Sequence, residues 1–224
     1  MISTRDLSLL PDVDVLRRTW QSMAMVDAVL CPNWEYRYYS FQAGWGEGEQ
    51  LGSMRSGSGD DLFAHFSSAG CWIKGFDHES PLSPFTEHPP RVRPGVLDHV
   101  PPEFAACLQE PAFNIDMATF CIWRRPGDAA WQIGPVAFPT DAHDPDGPDP
   151  DGSEQMLSPL DGRAETYRAW AEEYYERKVD AIAVEQIFEH RPLTPELVAK
   201  LNPKASLAGL VDDIREIGYP VATE

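Results

Sequence analysis

The side chains of this chain that could do chemistry fall into a few short clusters. Asp77-His78-Glu79-Ser80 is the densest of them. With Glu87 and His88 close behind, it offers the imidazole and carboxylate donors that zinc or a harder cation takes. No H-E-x-x-H is present, and no helix sets ligands at i and i+4. The spacing therefore favours a strand-end loop whose Asp and Ser bond nearby backbone. Glu47 and Glu49 flank Gly48 beside Trp45, an aromatic platform next to paired carboxylates. Glycoside cleavage needs two carboxyls about 5–9 Å apart on opposite sides of the sugar. Two near neighbours in sequence cannot straddle a ring, so this pair reads as a charged hairpin loop. A hydrolytic or metal-dependent reading thus rests on Glu47, Asp77, His78, Glu79 and His88.

A second cluster is the run from Asp141 to Ser153, almost entirely Asp, Pro and Gly. Its alternating carboxylates (Asp144, Asp146, Asp149 and Asp151) suggest calcium, but neither Gly147 nor Gly152 places carboxylates in the EF-hand frame. Prolines 145, 148 and 150 stiffen it further, and an exposed acidic loop is the simpler reading. Ser56-Gly57-Ser58-Gly59 matches neither phosphate-binding glycine pattern and runs into Asp60 and Asp61, so it reads as a turn. No G-x-S-x-G occurs, and the six histidines sit in no recognised catalytic frame. His65, inside a strand, reads as a sheet residue. No resident metal and no cofactor are implied.

The charge balance is the strongest functional signal. Asp and Glu number 36 against 18 Lys and Arg, a formal charge of −18 over 224 residues. Such a surface repels phosphate backbones and anionic membranes and attracts cations. Nucleic acid is excluded as a partner despite the aromatics Trp34, Tyr36, Tyr38 and Trp45. The absence of a long apolar run predicts a soluble, cytoplasmic protein with no membrane span. Cys31, Cys71, Cys107 and Cys121 form no C-x-x-C pair and read as reduced thiols.

The elements that must carry these residues follow from periodicity. Asp12 caps a helix ending at Leu30, with Val13, Leu16, Trp20 and Met23 at helical spacing. Alternation from Trp34 to Tyr39 predicts a first strand, followed by a Gly44–Gly48 loop. Strands are expected at 49–55, 61–67 and 71–75, then a proline-rich crossing or lid over 77–102 and a short helix over 102–108. A hairpin over 118–134 completes about six antiparallel strands. Beyond residue 160 the apolar stripes are helical: Tyr167, Trp170 and Tyr174; Val179, Ile182 and Ile187; Pro195 to Leu201; and Leu207 to Ile214. The expected fold is α+β, an antiparallel meander plus hairpin covered by an N-terminal helix and three to four C-terminal helices. One domain over 1–224 is expected, β-rich at 34–138, acidic at 141–154 and helical at 160–218.

The stretch Val100 to Leu108, a proline-initiated helix opening, is similar to the helix opening of SUKH-type immunity domains. In that family the strands follow the helix, whereas here four strands precede it. The resemblance implies a protein that neutralises a toxin by binding it. The charge points the same way: a non-catalytic acidic protein that captures a basic protein partner through Asp144, Asp146, Asp149, Asp151, Glu172, Glu173 and Glu176. Oligomeric state is not encoded in any pattern.

Overall fold

The computed structural model describes residues 1–138 and 149–222. Helix α1, Val13–Leu30, begins where Asp12 accepts a hydrogen bond from Val15 N at 2.9 Å. From Thr19 to Leu30 every residue is buried. An all-round buried helix must be enclosed by other elements. The polar side chains of α1 serve that enclosure: Gln21 donates to the Ile217 carbonyl at 3.0 Å and Ser22 to the Ile187 carbonyl at 3.1 Å.

Six antiparallel strands form one sheet in sequence order: β1 Tyr39–Gly46, β2 Glu49–Arg55, β3 Asp61–Ser67, β4 Gly70–Phe76, β5 Phe120–Arg124 and β6 Gln132–Ile133. Alternation assigns the two faces. Tyr39, Phe41, Met54, Leu62, Ala64, Ile73 and Ile122 meet α1 and the C-terminal helices. Leu51, Phe63, Trp72, Cys121 and Trp123 meet Val96, Phe104, Cys107 and Phe113 of the proline-rich connection. That connection is an ordered second layer of short 3₁₀ turns. Its prolines bar ladder bonding, so it covers the sheet with side chains alone. Trp20 lies flat on β2 because Gly52 has no side chain; a Cβ there would stand 2.5 Å from the indole Cδ2.

The three to four helices expected after residue 160 are four, α3 Ala164–Tyr174, α4 Ala181–Phe188, α5 Pro195–Leu201 and α6 Val211–Ile217, preceded by a short α2, Ser153–Leu157. Thr194 caps α5 through Leu197 N. Gly218, at φ 69°, ends α6.

Three local expectations are corrected. Trp34 to Tyr36 form a 3₁₀ turn capped by Asn33, and the strand starts at Tyr39. Register with β2 begins at Tyr39 opposite Met54, Arg55 N donates to the Tyr38 carbonyl at 3.0 Å where β2 ends, and the residues from Trp34 to Arg37 face no ladder partner. The Gly44–Gly48 segment is mostly strand: β1 runs to Gly46 past an irregularity, leaving Glu47-Gly48 as the turn. The helix expected over 102–108 is two separate 3₁₀ turns, Pro102–Phe104 and Cys107–Gln109.

Candidate functional site

The end of β4 and the end of the acidic segment meet. The Ser80 hydroxyl donates to the Pro150 carbonyl at 2.7 Å, and that of Thr119 to the Asp151 carbonyl at 2.8 Å. Gly152, at φ 75°, lies against Asp77; a Cβ there would come within 2.3 Å of the Asp77 Cβ. Only glycine tolerates both the close approach and the left-handed backbone. The N-terminal segment ahead of α1 completes the junction. Buried Thr4 donates through its hydroxyl to Asp151, whose other oxygen accepts from Ser153 N at 3.1 Å.

An open cleft of about 620 Å³ results, lined by Asp77, Glu79, Asp149 and Glu154 together with Met1 and Ser80. Arg5 bridges two of the carboxylates, at 3.5 Å from Asp149 and 3.2 Å from Glu154. Burial, and then the neighbouring charge of Asp151, push the Asp149 carboxyl up to about 6. Asp149 nevertheless holds the start of α2, accepting from Glu154 N at 2.8 Å.

Beside the cleft, His78 Nδ1 lies 2.6 Å from Asp60 Oδ1. That hydrogen bond raises the His78 pKa. Burial works to raise Asp60, but the bonds from His78 outweigh it and hold the carboxyl below its usual range. The ligand atoms of Asp60, Asp77 and His78 lie within 4.8 Å of one another, a set whose chemistry suits a divalent cation.

The structure therefore joins Asp77, Glu79 and Asp149 around one cleft, with His78 at its margin and Asp151 buried beneath. Asp144 and Asp146 lie outside the described residues. Glu47 sits in the β1–β2 turn, at the opposite end of the sheet from Asp77. His88 is exposed in the proline-rich layer and does not line the cleft. Glu172 is committed locally, accepting from Val179 N at 3.0 Å and pairing with Arg168 at 2.8 Å. Its bond from Val179 N is the main cause holding its pKa low. Glu173 and Glu176 are exposed.

Two constellations escaped the sequence reading. Asp27 of α1 is fully buried and accepts from Tyr38 N, Tyr39 N and the Tyr167 hydroxyl. Burial pushes its carboxyl up to about 6. Its position inside an apolar helical run was a readable signal. On the other face of the sheet, His65 lies between Cys107 and Glu49: Nδ1 is 3.4 Å from Sγ and Nε2 is 3.4 Å from Oε2. No sequence pattern links residues on β2, β3 and the proline-rich layer.

No protein-family model matches the chain, and neither the curated proteins nor the solved structures contain a significant match. Among the described residues, no helix is long and apolar enough to cross a membrane.

Proposed function

We propose that this chain is a non-catalytic acidic binding protein for a basic protein partner, acting in the manner of an immunity protein. The cleft of Asp77, Glu79, Asp149 and Glu154 is the surface that receives lysine or arginine side chains. One observation carries this reading: among the described residues, four carboxylates converge on one open cleft, and one guanidinium, Arg5, pairs with two of them. Elsewhere many carboxylates are neutralised by a local arginine, as Asp213 is by Arg37, Asp128 by Arg125 and Glu189 by Arg191. Uncompensated charge focused in a concavity steers a cationic partner and sets its register.

Fluorescence anisotropy with a labelled nona-arginine peptide tests the reading. Binding at low salt should weaken by at least about tenfold as ionic strength approaches 1 M, where the screening length falls to roughly 3 Å. Absence of binding at low salt, or affinity indifferent to salt, removes the proposal.

A further inference from the structure

We infer that Asp60, Asp77 and His78 form a zinc-binding site at the end of the sheet where β3 begins and β4 ends. The register of these two strands brings the carboxylates together. Asp61 pairs with Phe76 as the last step of the ladder, so one residue further out Asp60 stands opposite Asp77. Like charges directly opposite one another destabilise a strand pair. Among the described residues no lysine or arginine pairs with either carboxylate, and the ion pair made there is that of His78 with Asp60. The sheet thus ends on two facing carboxylates with an imidazole beside them, an arrangement that a divalent cation neutralises more fully than one imidazolium does.

Backbone contacts hold the three donors in place. Asp60 closes the turn ahead of β3: its amide donates to the Ser56 hydroxyl and its carbonyl accepts from Ser56 N, both at 3.1 Å. The Asp77 amide donates to the Thr119 hydroxyl at 3.2 Å, and Gly152 packs against the Asp77 side chain. The His78 amide donates to Asp60 Oδ1 at 3.1 Å, and Nδ1 lies 2.6 Å from the same oxygen. The ligand atoms of the three residues are within 4.8 Å of one another. Donors held at about 2.0–2.1 Å in a tetrahedron stand about 3.4 Å apart, so side-chain rotations of about an ångström close this set on zinc.

The site is open to solvent. The His78 side chain is 41% exposed and Asp77 lines the open cleft, while Asp60, its side chain 10% exposed, forms the floor. Donor chemistry selects the metal. Calcium takes about six to eight oxygens, and magnesium keeps several of its waters. One imidazole with two carboxylates suits zinc, and three protein ligands leave its fourth position to water. The ion takes the place of the proton between His78 Nδ1 and Asp60. It then ties the turn ahead of β3 to the end of β4, and through Asp77 to the Gly152 junction.

Isothermal titration calorimetry with zinc chloride tests the site on the full chain, stripped with EDTA and dialysed into about 150 mM salt, where screening suppresses diffuse attraction of cations. The expected result is about one zinc per chain with a dissociation constant at or below about 10 µM. His78→Ala and Asp60→Asn should each weaken it at least about tenfold, the scale on which altered metal surroundings act. Glu173→Gln/Glu176→Gln, which removes two charges elsewhere on the surface, should change it less than about twofold. Zinc should also raise the thermal midpoint of the wild type by more than that of His78→Ala at the same concentration. Should Asp60→Asn unfold by circular dichroism, the exposed His78 supplies the deciding variant. Absence of saturable binding, several weak equivalents, equal affinity in wild type and folded His78→Ala, or equal weakening in the Glu173/Glu176 variant overturns the assignment. Nona-arginine binding measured in EDTA reads the acidic cleft without the metal, so the two proposals fail separately.

Discussion

Asp27 is the most constrained carboxylate outside the acidic cleft. It is fully buried, yet accepts from two backbone amides at the entrance to β1 and from the Tyr167 hydroxyl of α3. One side chain thereby ties α1 to the sheet and to the helical layer. Replacing it with alanine leaves those donors buried without an acceptor, a loss on the order of 3 kcal/mol. Its titration has a defined sign. The native pKa lies near 6, against 3.8 for an ordinary aspartate. The folded state therefore binds the proton more tightly, and the stability contributed by Asp27 is present below about pH 4 and lost as pH rises through about 6. Urea denaturation of the wild type should show stability falling across that window, by up to about 3 kcal/mol from this group. Asp27→Asn should flatten the profile; an identical profile in both proteins would contradict the assignment. The run Met23 to Leu30, apolar except for Asp27, held that signal in plain sight. The His65–Cys107 contact did not, because 42 residues separate the pair and the intervening path folds over the sheet.

Among the elements, β2, β3 and α5 begin and end where the sequence pattern places them. Each carries its own boundary chemistry: the Ser56–Asp60 turn between strands, and Thr194-Pro195 ahead of α5. Trp34 to Arg37 shows the converse. Their alternation is strand-like, but β2 has already turned away, so no ladder forms there. Pairing is a property of two segments and is invisible in one. The proline-rich layer is similarly legible as irregular but not as the cover of a whole sheet face. Packing of α1 on the sheet depends on one missing side chain. Gly52→Ala drives a methyl to within 2.5 Å of the Trp20 indole, whereas a Cβ at Gly44 meets nothing within 4 Å. Gly52→Ala should cost about 1–3 kcal/mol through overpacking, and Gly44→Ala should stay within about 0.5 kcal/mol of wild type. Equal midpoints and slopes in chemical denaturation would refute that picture of the interface.

At the scale of the molecule, 36 acidic residues against 18 basic ones could serve solubility alone, and composition cannot separate that role from recognition. Placement can. Folding brings Asp77 and Glu79, at the end of β4, against Asp149 and Glu154, seventy or more residues later, while Glu173 and Glu176 remain on or beyond α3 outside this cleft. The acidic segment was legible as acidic; its meeting with the β4 end was not, since it is set by Gly152, Ser80 and Thr119 acting across distant parts of the chain.

Two double variants with the same change in net charge measure this directly: Asp77→Asn/Glu79→Gln in the cleft and Glu173→Gln/Glu176→Gln outside it, each titrated with nona-arginine at about 50 mM salt. Loss of rim charges that act locally should weaken binding at least about tenfold in the cleft variant and less than about twofold in the other. Equal weakening in both would mean that total charge, and not the cleft, attracts the peptide.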